Sequence, residues 1–322
     1  MKSRNAVISI WRSIISVCTT WPTRCRRVTR NLSRLPRMRD SAGLENIDLK
    51  VTEMDKEKYI NANREAWNEA TLKHQEARGD KLKNAFASEG YSTLDEFITA
   101  KMKQYHIEGK DVAQLCCNNG RELLSMLNLG AKSGVGFDIS DEAINEAGEL
   151  AEISGLAAKF VRTDVLEIGH EYDDLFDMIY ISIGALTWLP DLRLFFKIVW
   201  RLLRNNGVLI IYEQHPFTNM LAASDEKEYD ASHPFEVAFS YFRTEPWEEN
   251  SGIDYIGKTT YEAKTAYSFT QKISDILNPM IQSGIGLVEL IEYDHDISLM
   301  WECLEKEKMV PLSYILVGQK NG

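Results

Sequence analysis

The chain has 322 residues, with 37 Lys+Arg against 48 Asp+Glu, a formal charge of −11, and 44% hydrophobic residues. That composition excludes a disordered, collagen-like or coiled-coil chain, and the length suits one large domain or two modest ones. No apolar run reaches the roughly 18 residues that cross a bilayer, and an acidic chain repels phosphates, so neither a membrane nor a nucleic acid is expected as a partner.

The charge is uneven. Residues 1–39 hold Lys2 and nine arginines and no acid; with these ten cations set apart and all 48 acids outside them, residues 40–322 carry −21. An Arg- and Ser-rich, acid-free start reads either as an organelle transit segment or as a leader ahead of a start at Met54. Residues 1–53 are therefore assigned to a poorly ordered leader, with a short amphipathic stretch at Ala6–Val17. The expected location is the cytoplasm, or the mitochondrial matrix if the leader is a transit segment. Five cysteines, two of them adjacent and none in a C-x-x-C or His-rich spacing, predict no metal site and a reduced compartment.

In chain order, Asp55 is a candidate N-cap for a helix over 55–72, with Tyr59, Ile60, Asn63 and Trp67 at helical spacing. Thr93 and Glu96 form a capping-box pattern for a second helix. These two helices make a cap over 54–110. Alternation then begins: a strand at Asp111–Cys117, a helix at Arg121–Leu129, a strand at Ser133–Asp138, a helix capped by Ser140, and a strand at Lys159–Thr163. An apolar strand at 176–182 follows, then a helix over 191–204 stopped by Asn206-Gly207, and a strand at Val208–Gln214. A helix near 270–283 leads to strands at 286–293 and 312–319. Such alternation predicts an α/β, doubly wound sheet. Residues 215–269 interrupt it with an insertion rich in aromatic side chains, read as a hairpin packed on the sheet, as a substrate cover, or as both.

Open α/β sheets bind ligands beyond the carboxyl ends of their strands. Cys116-Cys117-Asn118-Asn119-Gly120 follows the first strand, and its N–H groups suit a polar ligand. Asp138 ends the second strand, where a carboxylate can accept both hydroxyls of a ribose. Asp164 follows the third, Ser182 and Trp188 the fourth, and Glu213, Gln214 and His215 the fifth. Each has a duller reading: a turn-forming Asp, packing cysteines, a core Trp, a structural His.

Taken together, residues 111–215 and, less sharply, 270–319 resemble class I S-adenosylmethionine-dependent methyltransferases. The segments that carry the resemblance are Val112–Glu122, Val135–Ser140 (with Asp138 and Ile139), Phe160–Val165 (with Asp164), Phe176–Tyr180 and Leu202–Leu209. The resemblance implies a seven-stranded sheet over 111–322 with a C-terminal antiparallel strand, and S-adenosyl-L-methionine held by Cys116, Asn118, Gly120, Asp138, Ile139, Asp164, Val165 and Ser182. Two departures stand out. Gln114 replaces the family's acid at the end of the first strand, and only Gly120 remains of three loop glycines. The asparagine-proline-proline-tyrosine signature of nucleobase amine methyltransferases is absent after the fourth strand, which together with the acidic body favours a small-molecule acceptor.

Glu213 and His215, two apart on a strand and so on one face, are the candidate bases. Tyr59, Trp67, Trp188 and His215 are the expected acceptor pocket. Two rival readings remain: a dinucleotide-dependent oxidoreductase, against which the absence of G-x-G-x-x-G counts, and a non-catalytic methyltransferase-like binding module, which the glycine-poor loop favours. The sequence fixes no oligomeric state.

Overall fold

A computed structural model describes residues 53–321, apart from Asp225. The leader assigned to residues 1–53 lies outside them except for its last residue, as do Cys18, Cys25 and the Ala6–Val17 stretch.

Three helices come first: α1 (Glu53–Arg78), α2 (Lys81–Phe86) and α3 (Glu96–Gln104). α1 runs past the predicted end at Leu72 because tertiary contacts hold its last turns. Arg78 meets both carboxylate oxygens of Glu146 at 3.0 and 2.9 Å. The cap of α3 is Asp95, whose Oδ1 accepts from the Ile98 N–H at 2.9 Å. The expected cap, Thr93, is drawn away instead: its N–H donates to Ser125 Oγ at 2.9 Å. Asp95 wins because it stands one residue before the helix with an extended backbone, the geometry that aims a side-chain oxygen at the open N–H groups.

The alternating body follows: β1 (Asp111–Leu115), α4 (Arg121–Asn128), β2 (Ser133–Asp138), α5 (Asp141–Ser154), β3 (Ala158–Arg162), β4 (Phe176–Ile181), α6 (Leu192–Leu202) and β5 (Leu203–Gln214). After it come β6 (Trp247–Glu249), β7 (Ala266–Ser268), α7 (Ile273–Gln282), β8 (Ile285–Tyr293), α8 (Glu302–Glu305) and β9 (Ser313–Lys320). The main sheet has seven strands in the order β3-β2-β1-β4-β5-β9-β8. β1 to β5 are parallel, and β9 runs antiparallel between β5 and β8. This is the class I methyltransferase α/β fold that the resemblance implies. Asn206-Gly207 does not separate helix from strand, however. α6 already ends at Leu202, and Leu203 pairs with Phe176, so the two residues lie in the irregular start of β5.

Side chains alternate across the sheet into two cores. Leu115, Ile179, Ile181, Leu209 and Ile211 pack on one side with Phe195, Phe196 and Val199 of α6. Val112, Met178, Tyr180, Ile210 and Tyr212 pack on the other with Ile98 and Met102 of α3. Each such fully buried side chain is worth about 1.5–3 kcal/mol, which makes β1 and β4 the rigid centre. The strand order reverses beside β1: the chain moves outward to β3 on one side, then to β4 and β5 on the other. That reversal opens a crevice at the carboxyl ends of β1 and β4. The insertion forms a second, two-stranded sheet in which Trp247 faces Ser268. Among the described residues no helix is long and apolar enough to cross a membrane.

Candidate functional site

The loop between β1 and α4 turns through three left-handed residues: Cys116 (φ 55°), Asn118 (φ 49°) and Gly120 (φ 71°). A side chain in that conformation costs roughly 1–2 kcal/mol, less for Asn. The cost is borne because the loop is fixed at several points. The Cys117 N–H donates to Phe137 O at 3.0 Å, and the Gly120 N–H to Cys117 O at 2.9 Å. Asn118 Oδ1 accepts from the Asn119 N–H at 2.7 Å. Gly120 itself is required, since a Cβ there would stand 2.3 Å from Phe160 Cζ. The loop thus turns through three left-handed residues of which one is glycine.

Asp138 locks this loop to β2. Its Oδ2 accepts from the Asn118 N–H at 2.7 Å and its Oδ1 from the Ser140 N–H at 2.9 Å. Burial pushes its pKa up, against the pull of those N–H groups. Each carboxylate oxygen has a second lone pair, so the group retains capacity for donors from a ligand. Asp164 caps the turn after β3 through the Leu166 N–H at 2.9 Å, and burial raises its pKa as well. Ile139 sits between Asp138 and Ser140, and Val165 is buried at the start of the turn that Asp164 caps. The Cys116 thiol lies in the field of Asp138, Asp164 and Glu213; burial first, and those carboxylates next, hold it well above its usual pKa. It packs against the core beneath the loop, and a thiol so held in its protonated form is a poor nucleophile.

Gln114 stands beneath the loop, 1% exposed. Its Nε2 donates to Glu122 Oε2 at 2.6 Å and to Ser182 Oγ at 3.1 Å, while its Oε1 is buried with no donor. An acceptor left in that state costs about 1–3 kcal/mol.

The two candidate bases are turned into the protein. Glu213 accepts from the Gly184 N–H at 2.7 Å, the Leu186 N–H at 3.0 Å and the Gln214 N–H at 3.2 Å. Burial pushes its pKa up to about 7, opposed by these N–H groups. It fastens the turn after β4 instead of facing an open crevice. His215 caps the next turn, its Nδ1 accepting from the Phe217 N–H at 3.1 Å. Its Nε2 stands 2.9 Å from Glu292 Oε1 on β8, out of line for a well-formed hydrogen bond. Burial lowers its pKa, against the pull of Glu292. Sharing a strand face told only which way these side chains point; the backbone N–H groups awaiting them come from elements remote in sequence.

Of the other expected pocket residues, Trp67 and Trp188 touch, whereas Tyr59 packs on the insertion. Trp67 packs edge-on against Trp188 at 5.3 Å between ring centroids, and Tyr59 packs on Tyr267 at 4.9 Å and on Phe269 at 5.4 Å. Thr187 and Phe269 exchange two hydrogen bonds, at 2.7 and 3.1 Å. The turn fastened by Glu213 is thereby the meeting point of α1 and the insertion. Sequence reasoning missed the polar residues that seat α1. Arg64 grips both oxygens of Asp141 at 2.8 Å, and Asn68 Oδ1 accepts from Ser140 Oγ at 2.8 Å. α1 is therefore tied to the residues that directly follow Asp138. The spacing of Arg64 and Asn68 on one helical face was the available signal.

Comparison with known proteins agrees with this fold. Residues 112–207 match the model of the family described as "Methyltransferase domain". Ribosomal RNA large subunit methyltransferase I of Aeromonas hydrophila is 30% identical over 136 residues, covering 37% of this chain and 34% of that protein. Sterol 24-C-methyltransferase of Aspergillus fumigatus is 32% identical over 108 residues, covering 33% and 28%. The chain thus spans about a third of the length of the curated relatives it matches. Among solved structures, a Listeria monocytogenes protein assigned to the S-adenosylmethionine-dependent methyltransferases superposes with a TM-score of 0.54 at 16% identity, covering 69% of this chain and 97% of that one. An S-adenosylmethionine-dependent methyltransferase from Mesorhizobium loti gives 0.53 at 19%, covering 70% and 98%.

Proposed function

We propose that this chain, whose residues 112–207 form a methyltransferase domain of the class I S-adenosylmethionine-dependent kind, transfers a methyl group from S-adenosyl-L-methionine to a small apolar acceptor. The observation that carries the reading is the loop from Cys116 to Gly120. It turns left-handed at Cys116, Asn118 and Gly120, the positions that the resemblance aligns with the family's three glycines.

The residues present fit the cofactor. Asp138 would take the ribose hydroxyls on its remaining lone pairs, and Asp164 and Val165 would border the adenine. Because the strand order runs β3-β2-β1-β4, the amino-acid end then belongs at β1 and β4, with Cys116, Gln114 and Ser182. There the donorless Gln114 Oε1 offers a buried acceptor. The cofactor supplies a sulfonium methyl that is already activated. The protein's part is alignment and exclusion of water. Asp138 holds the loop, Glu213 holds the turn after β4, and Tyr59, Trp67 and Trp188 wall the acceptor side. Glu213 and His215 are positioning residues in this reading, since both side chains are already engaged within the protein.

An apolar acceptor is supported by that aromatic wall and by the sterol methyltransferase relative. The ribosomal RNA methyltransferase relative favours a second reading, an RNA acceptor, but the −21 carried by residues 40–322 opposes phosphate binding. Isothermal titration should show S-adenosylhomocysteine binding and no NADH binding; binding of NADH alone would revive the oxidoreductase, and binding of neither the inert module. Label from methyl-tritiated cofactor should pass from a cell extract into organic-soluble material. Label in purified ribosomal RNA instead would establish the RNA reading.

A further inference from the structure

The missing acid at the end of β1 leaves a specific gap. A cofactor tail that carries an α-ammonium needs an anion near β1, and position 114 is a neutral glutamine. The nearest carboxylate bonded to it is Glu122, in the first turn of α4. Gln114 spends its amide N–H groups on Glu122 Oε2 at 2.6 Å and Ser182 Oγ at 3.1 Å. Its oxygen, in a side chain 99% buried, is left without a donor. Three acceptor-bearing groups from β1, α4 and the end of β4 are thus drawn together, and the one lacking a partner is an acceptor. A group with several N–H donors and a positive charge completes such a set.

Resting on the cofactor reading above, we infer that Glu122, oriented by Gln114, receives the α-ammonium of the cofactor's amino-acid tail, so that the charge normally carried by the strand is supplied from the helix. Gln114 plays two parts: one Nε2 hydrogen holds the Glu122 carboxylate in place, and its Oε1 accepts one ammonium hydrogen directly. Ser182 Oγ takes the amide's other N–H. The adenosine half of the cofactor makes no demand on Glu122.

The test is calorimetric and needs no acceptor. S-adenosylhomocysteine, which has the tail, and methylthioadenosine, which lacks it, are titrated into the full chain and into Glu122→Gln, Gln114→Glu and the exchanged pair Gln114→Glu/Glu122→Gln. Glu122→Gln should lose at least tenfold in affinity for S-adenosylhomocysteine and keep its affinity for methylthioadenosine. The exchanged pair, which returns one carboxylate to the cluster, should recover most of that loss. Gln114→Glu alone sets two carboxylates at hydrogen-bonding distance and should not gain over the wild type at neutral pH. Equal losses for both ligands in Glu122→Gln, or no loss for either, would overturn the role of Glu122 while leaving the function standing. A folded wild type that binds neither ligand would overturn both.

Discussion

Asn63 and Tyr267 share two hydrogen bonds: Asn63 Nδ2 donates to Tyr267 O at 2.9 Å, and the Tyr267 N–H donates to Asn63 Oδ1 at 2.7 Å. A side-chain amide on α1 thus does for β7 what a neighbouring strand would do. The pair is buried, and the aromatic contacts of Tyr59 flank it. α1 and the insertion are therefore fastened together by this pair of hydrogen bonds, and in the proposed function the acceptor wall rests on it.

Asn63→Ala should expose the consequence. Both polar groups of Tyr267 would lose their partners while remaining buried, a cost of about 2–4 kcal/mol. The melting temperature should drop by several degrees. Amide exchange at Tyr267 and Phe269 should speed up more than exchange in β1 or β4. Uniform acceleration through the whole sheet would mean that the pair supports global stability and not a local clasp.

The loop after β1 makes a contrasting set. At Cys116 and Asn118 glycine removes left-handed strain but adds freedom to the unfolded chain, so the two effects nearly cancel. What remains is the lost side chain, the packing of Cys116 and the bond from the Asn119 N–H to Asn118 Oδ1, so Cys116→Gly and Asn118→Gly should each cost about 0.5–1.5 kcal/mol. Gly120→Ala adds strain and drives a Cβ into Phe160, and should cost at least about 2 kcal/mol. Chemical denaturation would read all three. A Gly120→Ala protein as stable as the wild type would show that the loop can relax without cost.

Asp138 serves the loop and, in the proposed function, the ribose. Losing a hydrogen bond to a charged group costs about 1.5–3 kcal/mol, so Asp138→Ala should weaken S-adenosylhomocysteine binding at least tenfold. It should also loosen the Asn118 and Ser140 amides that Asp138 holds. Unchanged affinity in a folded variant would remove Asp138 from the cofactor site.

Much of this architecture was legible because periodicity and turn residues report local geometry. Asp138, Ser140 and Gly120 could be placed at strand and helix ends from spacing alone, and the aromatic meeting of Trp67 with Trp188 followed from which sheet edge each must reach. What escaped was set by partners distant in sequence. Thr93 looks like a cap until Ser125 is known to lie beside it. Glu213 looks like a base until the N–H groups of Gly184 and Leu186 are found on its oxygens, and α1 looks shorter than it is until Glu146 meets Arg78. Each case concerns a polar group whose partner is not written nearby.

Glu213 yields a pH dependence with a definite sign. Its ordinary pKa is about 4.5, and burial pushes it up to about 7 in the folded protein. An acid whose folded pKa lies above its unfolded value keeps its proton longer in the folded state, so its contribution to stability falls as pH rises from about 4.5 to about 7, and is level above that. A shift of this size corresponds to a loss on the order of 3 kcal/mol. Glu213→Gln imitates the protonated acid and lacks the titration. The two proteins should have similar stability near pH 4.5, and the variant should become the more stable one by pH 8. Function should move the other way: the ionised carboxylate accepts from Gly184, Leu186 and Gln214, whereas an amide turns a donor toward them. The variant should bind S-adenosylhomocysteine but turn over poorly at every pH, whereas the wild type's rate should rise near neutral pH as Glu213 ionises. Denaturation midpoints taken from pH 4 to 8 that run parallel for the two proteins would show that Glu213 is not titrating in this window, and the link between its charge and the turn after β4 would fall with it.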